Sequence, residues 1–91
     1  SNKDEEVHVC GIQEGDAWSI CDFVISNEKR LLSFFPKTRE QNLAPDLAKI
    51  FATLKSKQFE NKIEYLFTIK QQSSRKVIGL IYIKELDKID G

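Results

Sequence analysis

Two cysteines, one histidine and four glycines are the residues whose spacing decides what chemistry this chain can carry. Cys10 and Cys21 stand eleven residues apart, no Cys-x-x-Cys occurs and His8 is the only histidine, so no ligand set with metal-binding spacing exists. The cysteines read as free thiols, buried or half-buried, in a reducing compartment, since unpaired cysteine packs as a small hydrophobe. The glycines fall at 11, 15, 79 and 91, and no two have the spacing of a phosphate-cradling loop. His8, beside an acidic run, reads as exposed rather than as a base, and Trp18 as a core or rim residue of a helix. Tyr65 and Tyr82 alternate with aliphatic residues and read as packing residues with their hydroxyls at a sheet margin. No catalytic, coenzyme-binding or metal-binding residue is assigned.

The elements that would position any site must fit in 91 residues, which is one domain at most and near the lower size for a single core. Apolar residues make up 41% and charged residues 31%, a balance that folds rather than staying disordered. The 14 basic and 14 acidic side chains cancel, but five acids and one lysine precede Ala17, leaving residues 17–91 with an excess of four positive charges. Lys49, Lys55, Lys57, Lys62, Lys70, Lys76, Lys84 and Lys88 alternate with core positions instead of gathering on one face, so no nucleic-acid partner is expected. Without an apolar run of about 20 residues, a signal peptide or a lipidation motif, no membrane partner is expected either, and the setting is cytoplasmic. Ser1 and Asn2, with no methionine anywhere, read as tag-derived or internal sequence, and residues 1–6 as a disordered or tag-derived terminus.

A short strand is expected over about 7–12, ended by Glu14-Gly15-Asp16, with Asp16 as the N-cap of a helix over about 17–34. Its stripe is Ala17, Ile20, Cys21, Val24, Ile25, Leu31, Leu32 and Phe35, with a local break possible at Ser26 or Asn27 and an end at Pro36. Residues 34–41, FFPKTREQ, form a charged connector. Asn42 is the expected cap of a second helix over about 43–59, with Pro45 in its first turn and Leu43, Leu47, Ile50, Phe51 and Leu54 as its apolar face. The period then changes to two, giving strands over about 63–71 and 76–86 joined by a polar turn at 71–75. The return strand is apolar on both faces and is expected to be central, while Gly79 marks a bulge or a close backbone approach. The fold class is α+β, ordered strand-helix-helix-strand-strand with an antiparallel sheet, and the sheet lacks a neighbour on one side.

This order, with DAWSICDFVISNEKRLLSFFP, EYLFTIK and VIGLIYIKELD, resembles the N-terminal half of the GNAT superfamily of N-acetyltransferases, closest to the branch of the ribosomal-protein N-terminal acetyltransferases. The matching features are Asp16-Ala17 opening the first helix, Asn27, Leu31, Phe34, Phe35 and Pro36 towards its end, the pattern of residues 65–69, and Val77-Ile78-Gly79 opening the third strand. The resemblance implies the acyl-CoA N-acyltransferase fold, α/β by family, and acetyl transfer from acetyl-CoA to a primary amine of a protein N-terminus or a small molecule. That reaction joins the amine nitrogen to the acetyl carbon, breaks the carbon–sulfur bond, and needs a base for the amine proton and an acid for the leaving thiolate. The family's coenzyme signature, Gln/Arg-x-x-Gly-x-Gly/Ala after a fourth strand, does not occur in these residues.

By the same resemblance, the connector lines one wall of the acceptor site, which makes Phe34, Phe35, Lys37, Thr38 and Arg39 the candidate substrate-binding residues. The plainer reading of these five is two core plugs and a solvated loop. The chain is thus expected to be a transferase fragment, inactive as the 91-residue piece. The competing expectation is a small α+β interaction module that completes its sheet through the exposed strand at 77–86, with a partner or as a homodimer.

Overall fold

Residues 6–84 are described by a computed structural model. They form β1 (Val7–Gly11), a 3-10 turn (Glu14–Asp16), α1 (Ala17–Ser26), α2 (Glu28–Phe34), α3 (Pro36–Glu40), α4 (Pro45–Glu60), β2 (Glu64–Gln71) and β3 (Val77–Lys84). The first expected helix is broken at Asn27, which leaves helical geometry at φ −123°, ψ 31° and donates its side-chain amide to the Phe23 carbonyl at 2.8 Å. The connector is not a loop: Pro36 pre-sets the first turn of α3 after Phe35 has turned the chain.

Asp16 stands at the N-cap position of α1 as expected, but its carboxylate accepts from the Gln13 amide at 2.9 Å and from Lys70 Nζ at 2.7 Å and makes no bond to the first turn of α1. The second expected cap is displaced. The residue before α4 is Ala44, with Pro45 at the first helical position. Asn42 is fully buried two residues earlier and donates to the Thr38 carbonyl at 2.9 Å, which ties α3 to the start of α4.

The antiparallel sheet has the order β1-β2-β3. Register places Cys10 opposite Thr68, Thr68 opposite Leu80 and Leu66 opposite Tyr82, so these side chains share the face under the helices. Ile20 and Val24 of α1, Phe51 of α4 and Leu66 of β2 are fully or almost fully buried there, each worth about 1.5–3 kcal/mol relative to exposure. The buried face of α4 is Ala48, Phe51 and Ala52, whereas Leu47, Ile50 and Leu54, and Leu43 just before the helix, are exposed, so of the expected apolar face only Phe51 is buried. Alanines let the helix sit close to its neighbours, so burial on α4 follows the small residues and Phe51, not the leucines.

On the other face lie Val7, Val9, Phe67, Ile69, Ile81 and Ile83, with Val7, Val9, Ile81 and Ile83 exposed. Phe59, near the end of α4, reaches this face and meets Tyr65 and Phe67 edge-on at 5.2 and 5.3 Å. A side chain at Gly11 would stand 2.9 Å from that ring, so glycine is what admits it. The doubly apolar return strand is an edge among the described residues, not a central strand. Ile78 is its extra residue, since Ile69 pairs with Gly79 and Lys70 with Val77. Residues 85 and 86 of the expected strand lie outside the described residues, as do residues 1–5 of the expected terminus at 1–6, whereas the Glu6 carbonyl accepts from the Gln72 amide at 2.9 Å.

Candidate functional site

The α2–α3 corner stands over β3 because Phe35, at φ −139° and ψ 67°, ends one helix and Pro36 starts the next. The turn drives Thr38 inward, where it is buried and its hydroxyl lies 2.7 Å from the Tyr82 hydroxyl. The Phe35 ring leans on Tyr82 at 5.8 Å, and Phe34 projects with 71% of its surface exposed. Beneath the corner runs an open groove of about 850 Å³, walled by Phe34, Phe35, Lys37 and Thr38 on one side and Lys55, Glu64, Tyr82 and Lys84 on the other. A smaller cavity of about 190 Å³ adjoins it between α2 and the bulged start of β3, reached by Arg30 and Gly79.

The groove floor is an ionic and aromatic cluster. Lys55 Nζ lies 2.7 Å from Glu64 Oε1, and Lys84 Nζ 3.5 Å from Glu64 Oε2. The same Lys55 ammonium sits 5.7 Å from the Phe51 ring centre and 5.5 Å from that of Tyr82, within cation–π reach. Burial alone would push the Glu64 carboxyl up, but the hydrogen bonds and charges of Lys55 and Lys84 outweigh it and hold the group below the usual glutamate range. Burial pushes the Tyr82 phenol up and the Glu64 charge adds to this, while the Thr38 hydrogen bond opposes it. The groove therefore holds an ionised glutamate between two lysines and a neutral phenol at physiological pH. What this can do is grip a polar group beside an aromatic wall.

Of the five candidate residues, Phe34, Phe35, Lys37 and Thr38 line the groove. Arg39 does not: its guanidinium is bonded to the Glu28 carboxylate through Nε at 3.1 Å and through Nη2. Sequence reasoning passed over Lys55, Glu64 and Lys84 and read Tyr82 as a margin residue, whereas its hydroxyl points to the helices. The alternation of the strands carried a signal for them: Glu64, Tyr82 and Lys84 fall on the helix-facing side, where a charged residue needs a partner. Trp18, expected in the core or at its rim, is 74% exposed, and His8 is exposed on β1. Cys10 and Cys21 are free thiols, and burial, with the Asp22 charge, pushes the Cys21 thiol up.

The described residues do not fit a coenzyme pyrophosphate. Helix N-termini attract anions, but Glu14 and Asp16 precede α1, Glu28 opens α2 and Asp46 opens α4, while α3, whose first turn has no acid, runs for only five residues. No family model matches the sequence, and no curated protein matches it. Among solved structures, the chain is similar to the ribosomal-protein-S5-alanine acetyltransferase from Vibrio fischeri, with a TM-score of 0.75 at 19% identity. The match covers 88% of this chain and 44% of that one, so the chain spans less than half the length of the structure it matches. The described residues accordingly have the α+β fold of part of a GNAT acetyltransferase.

Proposed function

We propose that this chain is the acceptor-side part of an acetyl-CoA-dependent N-acetyltransferase, and that its α2–α3 corner binds the amine substrate through Phe34, Phe35, Lys37 and Thr38. The observation that carries the reading is the groove of about 850 Å³ under a corner whose surrounding fold is that of part of an acetyltransferase. Concave sites that combine an aromatic wall with a few fixed polar groups are where ligands bind. The coenzyme is assigned to residues outside these 91, in keeping with the acids that open α2 and α4 and precede α1, and the setting is the cytoplasm, which suits two free thiols.

The test is to express the gene with whatever sequence follows Gly91 and to assay acetyl transfer to amines by mass spectrometry. The expected result is transfer by the longer protein and no saturable acetyl-CoA heat with the 91-residue chain. A reading frame that closes without a further strand and a pyrophosphate loop sinks the enzyme reading. A second reading is favoured by the outer edge of β3, which has no strand partner among the described residues and carries exposed Ile78, Ile81 and Ile83. An edge of this kind is a template for pairing with a second chain. In that case sedimentation would show a concentration-dependent dimer that Ile81→Lys abolishes.

A further inference from the structure

We infer that the groove under the α2–α3 corner selects by charge, taking an acidic peptide segment that bears the acceptor amine and turning away polycations. The inference rests on the acceptor-site reading above. Three lysines, Lys37, Lys55 and Lys84, line the groove against one glutamate. That glutamate is already committed: Lys55 bonds it at 2.7 Å, and Lys84 stands at 3.5 Å with its own side chain 67% exposed. Tyr82 shares its hydroxyl with Thr38 and adds no charge, and the neighbouring Arg39 is cancelled by Glu28. Lys37 is exposed at the rim and makes no ion pair among the described residues, and Arg30 adds a further positive charge from the adjoining cavity.

The uncompensated charge is therefore positive and sits at the mouth, where it meets an incoming ligand first. A polyamine or polycationic antibiotic would face like charge on entry, whereas carboxylates beside the amine would be drawn in. The same field serves nucleophilic attack. An amine must be neutral to attack, and nearby cations favour its unprotonated form. The size points to a peptide rather than a free amino acid. A volume of about 850 Å³ lies towards the upper end of ligand sites, and Phe34, Phe35 and Leu54 give it an apolar wall along which an extended segment can lie.

The test is a titration of the 91-residue chain at low ionic strength, followed by amide NMR shifts. The probes are a short peptide with three acidic residues after a free N-terminus, its counterpart with three lysines, free glutamate, and a single-stranded oligonucleotide of the acidic peptide's charge. The expected result is shifts at Lys37, Thr38 and Tyr82 with the acidic peptide alone, fading as salt is raised. Lys37→Glu and Lys84→Glu should each weaken it by about threefold to fivefold, in line with an exposed charge pair. Lys49→Glu, on the outward side of α4, should leave it unchanged.

Equal or tighter binding of the lysine peptide overturns the inference, as does tighter binding of glutamate or of the oligonucleotide, or no binding of the acidic peptide. The titration is independent of coenzyme. A frame without a pyrophosphate loop would sink the enzyme reading while leaving the charge selection standing, and a working transferase that prefers basic acceptors would do the reverse.

Discussion

Beneath α1 and α4 the sheet is sealed mainly by the apolar side chains of Ile20, Val24, Phe51 and Leu66. Farther along the same face, beneath the α2–α3 corner, it is held by Thr38 on Tyr82 and by Lys55 between Glu64 and two rings, while Arg39 on Glu28 ties α3 to α2 above it. The first region is closed and non-directional; the second is open, with every contact fixed by donor, acceptor or ring geometry. Apolar packing would have filled the groove, so its polar clasps keep a cavity open while holding the corner down. The difference predicts that damage to the first region costs the most stability, that damage to the polar clasps of the second costs less, and that damage to its exposed wall costs recognition.

The largest effect is expected at Phe51, which is 2% exposed. Phe51→Ala should lose about 3–5 kcal/mol, a large share of the roughly 5–14 kcal/mol expected for a chain this short. Urea unfolding checks it. A loss under about 1 kcal/mol would mean that α4 is not anchored as described.

Next is Glu64. Removing its charge leaves the Lys55 ammonium, whose side chain is only 14% exposed, without its carboxylate, so Glu64→Gln should cost about 1–3 kcal/mol. A carboxyl held below its unfolded value contributes stability that is present above the unfolded glutamate range and lost as pH falls through the lowered folded value. The wild-type chain should therefore weaken below about pH 4, and the variant should lack that part of the acid limb. Identical acid limbs by urea titration would refute the ionic clasp.

The two regions also differ in how far they are legible in sequence. Ala17, Ile20, Cys21, Val24 and Leu31 announce the core by helical spacing, although Ile25, Leu32 and Phe35 of the same stripe are exposed, and strands β2 and β3 are announced by alternation, because both periods are local properties of the backbone. Facing on α4 was legible only at Phe51. Leu47, Ile50 and Leu54, with Leu43 before the helix, repeat as regularly as a core stripe, yet the helix turns Ala48 and Ala52 inward beside Phe51. Phe34, Phe35, Lys37 and Thr38 were reached through a resemblance. Their partners Lys55, Glu64 and Tyr82 were not, since one tight hairpin and two helix turns bring together residues up to 44 positions apart.

A smaller effect is expected at the hydroxyl pair. Tyr82→Phe leaves the buried Thr38 hydroxyl without its 2.7 Å partner and should cost about 1–2 kcal/mol, whereas adding Thr38→Val should recover much of the loss. A phenol pushed above its unfolded value stabilises fully below that value, and the contribution is lost as pH rises through the folded one. The alkaline weakening of the wild type, beginning above about pH 10, should accordingly shrink in Tyr82→Phe. Additive losses in the double variant would show that the two hydroxyls do not act as a pair.

The smallest effect on stability, and the sharpest on the comparison, belongs to Phe34. Its ring is 71% exposed at the groove wall, so Phe34→Ala removes little buried area and should shift unfolding by no more than about 0.5 kcal/mol. If the corner exists to hold a ligand, that ring is part of the wall the ligand covers, and its loss should weaken acidic-peptide binding by about tenfold, the scale of an aromatic contact at a binding site. Calorimetry on the variant separates the two roles. A stability loss comparable to Phe51→Ala would make Phe34 a core plug, whereas unchanged stability together with unchanged binding would remove the aromatic wall from the site and leave the lysines to define it.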